Sequence, residues 1–173
     1  APQARVCVAL PRGGVIGHPM GAGKTRIAVA LAAADHAASG AASGAATEGE
    51  GSGGPTTLVL CPAHLAHQWE AEAAAIGSAA LVQVASFDAL EVAVQESSDA
   101  EDPNAPPPPP MLSREWLRVF VDEPQDLDHR QMHCLSWLRA GFRWALCGTA
   151  RLQLEVCATV AWGGVLPKWA WPD

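Results

Sequence analysis

Apolar residues along this chain come in short runs whose spacing changes from one segment to the next. "GGVIG", "TTLVLC", "LVQVAS", "LRVFVD" and "RWALC" are brief, aliphatic and nearly free of polar positions. Runs of that kind read as strands buried on both faces. Between them, "KTRIAVALAAADHA", "HLAHQWEAEAAA" and "RQMHCLSWLRA" are helix-compatible stretches. Strands and helices in alternation predict an α/β fold, with a mainly parallel sheet and helices on both of its faces.

Two segments break the pattern. Residues at about 37–55, "AASGAASGAATEGEGSGGP", hold almost no large apolar side chain, although their first alanines can extend the preceding helix. Residues at about 96–110, "ESSDAEDPNAPPPPP", are acidic and then polyproline, which favours extended chain without backbone donors. Both read as surface insertions at the edges of the sheet. Residues 1–173 are therefore expected to form a single unit with one core.

Composition narrows the function classes. The formal net charge is -7, so no basic field covers the chain and any nucleic-acid contact must come from a few local groups. The five cysteines are scattered, without a CxxC pair, which suits a reducing compartment better than a disulfide framework. No run of about 18 apolar residues occurs, and "APQARVCVALPRGG" lacks the pattern of a secretory signal. The expectation is a soluble, intracellular chain without a membrane partner.

The chemistry begins at "GHPMGAGKTRIAVAL". A strand feeds a turn, and the helix after it is expected to start at Lys24, so backbone N–H groups and a helix N-terminus converge on one point. Met20, Gly21, Ala22, Gly23, Lys24 and Thr25 form the phosphate-binding candidate: the glycines admit close approach, Lys24 reaches the phosphates, and the Thr25 hydroxyl suits Mg²⁺. His18 stands where the strict pattern has its first glycine. The second site is "LRVFVDEPQDL", an apolar strand ending in Asp122 and Glu123. One acid there serves the metal shell and the other polarises an attacking water. His129, His133 and Cys134 have a spacing compatible with zinc, but without a second cluster they read as polar surface, as do His64 and His67.

These segments together resemble the Swi/Snf-type ATPases, a branch of the superfamily-two helicases. "GGVIGHPMGAGKTRIAVAL", "TTLVLCPAHLAHQWEAEA", "VQVASFDAL", "WLRVFVDEPQDL" and "RWALCGTARLQ" are similar to that family's motifs I, Ia, Ib, II and III, in order, over roughly residues 12–153. The likeness is strongest to the branch with RING-type DNA-repair translocases. It implies a three-layer RecA-like P-loop lobe that binds ATP and Mg²⁺. Thr25 and Asp122 would hold magnesium, Glu123 would be the catalytic base and Lys24 the phosphate cation. Pro62, Ala63, His64 and Ser86 would face duplex DNA, and Trp69 would be core. Gln125, Gly148 and Thr149 would couple the nucleotide site to DNA.

The chain also departs from the family. His18-Pro19-Met20 replaces Asp-Glu-Met, Pro124-Gln125 replaces Ala-His, and Ala150 replaces a proline. No adenine-recognition glutamine precedes Arg12, and nothing after Gln153 resembles the second lobe that supplies arginine to the transition state. The tail tryptophans Trp162, Trp169 and Trp171 are expected to pack on the lobe or on a neighbour. The resemblance further implies a nuclear protein of chromatin remodelling or DNA repair, inactive as an isolated lobe. Two other readings stand beside it: a nucleotide-binding or protein-interaction module without turnover, favoured by the altered motifs, and a P-loop kinase or other NTPase that does not act on DNA.

Overall fold

The computed structural model describes residues 12–42, 56–98, 107–148 and 160. Five strands form one sheet: β1 (Gly13–Gly17), β2 (Thr57–Cys61), β3 (Val82–Ser86), β4 (Glu115–Asp122) and β5 (Arg139–Cys147). Their order is β1-β5-β4-β2-β3, and every neighbouring pair is parallel. The expected α/β architecture with a parallel sheet is the one observed. The helices are α1 (Lys24–Ala42), α2 (Ala66–Ala75), α3 (Phe87–Ser98), α4 (Pro110–Ser113) and α5 (His129–Cys134). Among the described residues no helix is long and apolar enough to cross a membrane.

Strict alternation along the strands divides the core into two layers. Leu58, Leu60, Val119, Val121, Ala145 and Cys147 meet Phe87, Leu90, Leu112 and Leu135 on the α3–α5 side. Val59, Cys61, Phe120 and Leu146 meet Ala28, Val29, Ala32, Trp69 and Ala73 of α1 and α2 on the other. Burying a side chain such as Phe120 or Leu58 contributes roughly 1.5–3 kcal/mol, and β2 is buried at all its positions. That is why β2 carries no charged position, whereas the edge strands β1 and β3 are mostly half-buried.

A charged group from within β4 is sealed into this sandwich. Arg118 of β4 is 4% exposed and pairs through Nη2 with Asp35 of α1, while its Nε and Nη1 are buried without a partner among the described residues. Burial pulls the Arg118 guanidinium below its ordinary value.

The structure corrects two sequence expectations. "RQMHCLSWLRA" is not one helix. α5 begins in a capping box, with the Asp128 side chain accepting from Gln131 N, and ends at Cys134. A 3-10 turn, Leu135–Trp137, follows, and Arg139 and Ala140 already belong to β5, paired with Glu115 and Trp116. Arg143 fixes that exit by donating from Nη1 to Leu135 O at 3.0 Å and from Nη2 to Leu138 O at 2.5 Å. The second correction is α3, which the sequence pattern did not single out. Phe87, Leu90, Ala93 and Val94 form its buried face, and it takes in Glu96 to Ser98 from the segment read as an insertion. Likewise α1 runs to Ala42, and α4 opens at Pro110. Residues 43–55 and 99–106, Thr149, Ala150, and Trp162, Trp169 and Trp171 lie outside the described residues.

Candidate functional site

The carboxyl ends of β1, β4 and β5 carry the candidate chemistry side by side. Beyond β1 the ladder continues for one more bond, from His18 N to Cys147 O at 3.2 Å. The chain then turns, with Ala22 N donating to Pro19 O at 3.2 Å. Gly21 and Gly23 have φ of 78° and 85°, a left-handed backbone that disfavours any side chain. A Cβ added to either would meet nothing within 4 Å, so open space lies beside the loop. Helix α1 starts at Lys24, and its first-turn N–H groups have no partner within the helix.

At the end of β4, Asp122 is 6% exposed and accepts a hydrogen bond from Trp69 Nε1 at 2.9 Å. Burial raises its carboxyl above the ordinary aspartate value; the Trp69 bond opposes that shift, and the neighbouring Glu123 charge adds to it. Glu123 itself has φ of 49°, left-handed for a residue with a side chain, and its N–H donates to Leu146 O at 2.8 Å. Such a conformation costs about 1–2 kcal/mol and persists where surrounding bonds hold it. Here those bonds converge on the carboxylate. Oε2 accepts from Gln125 Nε2 at 2.7 Å and from Gly148 N at 3.1 Å, while Oε1 stands 3.5 Å from Lys24 Nζ. Lys24 Nζ also donates to the His18 carbonyl at 3.2 Å. Burial pushes the Glu123 carboxyl up, but the Gln125 and Gly148 bonds and the Lys24 charge outweigh it and hold the group below the ordinary glutamate value.

A cavity of about 370 Å³ opens over these groups, lined by Gly21, Gly23, Lys24, Thr25, Asp122 and Glu123 on one side and by Trp69 and Glu72 of α2 on the other. Met20 also lines it and is 89% exposed. The donor set suits a triphosphate with magnesium: an ammonium and a glycine-lined hollow for phosphate oxygens, and a hydroxyl and a carboxylate as hard oxygen ligands. Thr25 and Asp122 would hold the metal. Cys61, close to the same end of the sheet, is no candidate nucleophile. Burial first, and the Asp122 charge second, push its thiol up to about 12.

The remaining sequence candidates fall elsewhere. Ala22 is exposed on the turn and does not line the cavity. Pro62, Ala63 and His64 line a second cavity of about 330 Å³ beyond β2, which Asp88 and Asp126 also border. Ser86 Oγ accepts from Ala89 N at 3.1 Å and so caps α3. Gln125 and Gly148 both meet Glu123, whereas Thr149 lies outside the described residues. No group of three histidine, cysteine or acidic side chains suited to a metal occurs among the described residues. Sequence reasoning placed Trp69 in the core, where it is, but missed its hydrogen bond to Asp122. No spacing rule joins two residues that only the sheet brings together.

No protein-family model and no curated protein matches the chain. Solved structures do. The SWI2/SNF2 ATPase core domain of Sulfolobus solfataricus matches with a TM-score of 0.62 at 17% identity, over 92% of this chain and 32% of that one. The same organism's SWI2/SNF2 ATPase core in complex with dsDNA matches with a TM-score of 0.57 at 16% identity, over 89% of this chain and 31% of that one. The chain has the fold of a SWI2/SNF2 ATPase-core lobe. The chain spans about a third of the length of the solved structures it matches. Its all-parallel sheet and the turn that enters α1 at Lys24 agree with the α/β order expected from the sequence.

Proposed function

We propose that the chain is the ATP-binding lobe of a SWI2/SNF2-type DNA-dependent ATPase. The observation that carries this reading is the convergence of Lys24, Thr25, Asp122 and Glu123 on one cavity at the carboxyl ends of parallel strands, which is where such sheets bind ligands. The loop N–H groups and Lys24 bind the triphosphate. Glu123 orients the attacking water and takes its proton, and Gly148 N–H keeps that carboxylate aimed. Magnesium, when bound by Thr25 and Asp122, neutralises phosphate charge. Lys24 leaves Glu123 for the γ-phosphate as nucleotide enters, which frees Oε1 for the water.

Duplex DNA would meet Pro62, Ala63, His64 and Ser86, and a second RecA-like lobe would close the cleft and supply the transition-state arginine. A nuclear role in chromatin remodelling or DNA repair belongs to the same proposal, as does the reading of residues 1–173 as one lobe. Calorimetric titration of ATP with magnesium tests it: the chain binds weakly, and Lys24→Ala abolishes the binding. Equal affinity in both proteins would sink the assignment.

A second reading, nucleotide binding without turnover, is favoured by one observation: the Glu123 carboxylate already engages Gln125, Gly148 and Lys24. In a protein with both lobes, hydrolysis stimulated by duplex DNA and reduced about 10²- to 10⁴-fold by Glu123→Gln supports the enzyme. No turnover in either protein supports the binding module.

A further inference from the structure

We propose that Trp69 is a positioning residue for Asp122, holding one oxygen of that carboxylate so that the other is presented to magnesium. This rests on the assignment of Asp122 to the metal made above. The indole N–H of Trp69 donates to Asp122 Oδ2 at 2.9 Å, and both residues are buried, at 1% and 6% exposure. A carboxylate on its own turns easily about its last torsion. Here Oδ2 is tied, which leaves Oδ1 as the oxygen not engaged by the indole.

The donor is held by its packing. Trp69 sits in the apolar layer with Ala28 and Val29 of α1, Phe120 of β4 and Leu146 of β5, two of them strand residues adjoining the site. It also lines the cavity that Thr25 and Asp122 share. An indole is suited to this role in a way a charged donor is not. It supplies one hydrogen bond without a positive charge, so the net negative charge of the carboxylate is not cancelled by its partner. Without the indole N–H, Oδ2 loses this side-chain donor at a position only 6% exposed, an unfavourable exchange for a buried carboxylate.

The bond also joins distant parts of the chain. Trp69 is on α2, which follows directly on the 3-10 turn Ala63–Leu65 beyond β2. The geometry of that connection therefore reaches the metal carboxylate through one side chain.

The test is the magnesium requirement of binding of mant-labelled ATP, read by fluorescence in the 173-residue chain. Trp69→Phe keeps most of the ring and removes the donor. Partners of this kind typically change metal affinity about 10- to 100-fold. The variant should need that much more magnesium for the same tightening, each protein being compared with its own metal-free nucleotide affinity. Thermal melting shows whether it folds. If it does not, a benzothiophene analogue of tryptophan introduced at position 69, which exchanges N–H for sulfur at nearly constant shape, gives the answer. An unchanged magnesium requirement in the folded variant overturns the proposal and leaves the nucleotide site standing. So does wild-type binding that is indifferent to magnesium. Failure of the wild type to bind nucleotide at all overturns the underlying reading together with this one.

Discussion

Gln125 donates its side-chain amide to Glu123 Oε2 at 2.7 Å, so the residue that stands where the resembled ATPases have histidine is bonded to a carboxylate two positions before it. The link from the strand that follows comes instead from the backbone, through Gly148 N–H to the same oxygen. The Gln125 side chain thus shapes the acid, while the connection to β5 needs no side chain. Gln125→Leu removes a donor to the charged form, and the Glu123 carboxyl rises towards the ordinary glutamate value. In the wild type the depressed carboxyl contributes stability present above that ordinary value and lost as pH falls through the folded one. The variant is therefore less stable at neutral pH and matches the wild type in strong acid. A carbon-detected NMR titration of the glutamate carboxyls, with thermal melts across pH, checks both effects.

Asp122 has the opposite sign. Its carboxyl is raised by burial, so the folded chain holds that proton more tightly than the unfolded chain does. Stability consequently falls as pH rises from the ordinary aspartate range through the folded value, and the full penalty persists above it. Asp122→Asn keeps an oxygen for the Trp69 N–H and removes the charge. Without divalent metal at neutral pH it should be about 1 kcal/mol more stable, raising the melting temperature by roughly 2–4 °C. The gain should shrink in acid, and magnesium-dependent nucleotide binding should be lost. A melting temperature below the wild type's at neutral pH contradicts this account.

Two glycines should respond differently to alanine. At Gly13, φ is 147° and an added Cβ would overlap the Arg143 carbonyl, so β1 must separate from β5. Gly13→Ala should cost at least about 3 kcal/mol, or roughly 6–12 °C in melting temperature. At Gly23 the added carbon meets open space, and only the left-handed backbone is strained. Gly23→Ala should cost about 1–2 kcal/mol and weaken ATP binding. Scanning calorimetry beside nucleotide titration separates the two.

The Arg118–Asp35 pair offers a third contrast. Asp35→Asn leaves a buried guanidinium without its counter-charge and should destabilise the chain by about 3 kcal/mol, the low end for such a loss because Asp35 is partly exposed. Arg118→Met removes the charge and its unpaired nitrogens together, and should be neutral or up to about 2 kcal/mol stabilising. Urea denaturation of both variants decides it, and equal losses would show that packing, not charge, is what Arg118 provides.

The strands were legible because burial on both faces leaves runs such as "TLVLC" with no charged position and no polar alternation to confuse their reading. Lys24, Thr25, Asp122 and Glu123 were legible because the residues around each carry a local pattern. What escaped depended on partners far along the chain. Trp69 reads as any buried tryptophan until β4 brings Asp122 to its N–H across 53 positions. The end of α5 is set by Arg143, nine residues beyond Cys134, whose guanidinium takes the turn carbonyls. The left-handed backbone of Glu123 has no signal either, since glutamate is no glycine. Helix α3 was open to view in its spacing of Phe87, Leu90 and Val94, but its acidic end merged into the polar segment after it.

A sheet whose strands all run one way has a working rim and an idle one. Helices α1 and α3 start at the rim that carries Lys24 and Glu123, straight after the glycine turn and after β3, and carry the chain back to the other side, where β2 and β4 begin. The described residues flanking the two low-complexity stretches, Ala42 and Thr56 in one case and Ser98 and Pro107 in the other, therefore sit away from Lys24 and Glu123. Both junctions lie where α1 and α3 end and where the chain enters β2 and, through α4, β4, opposite the cleft. Those two junctions are accordingly the places to splice in a fluorophore, an affinity handle or a reporter domain when the cleft itself is to be watched at work.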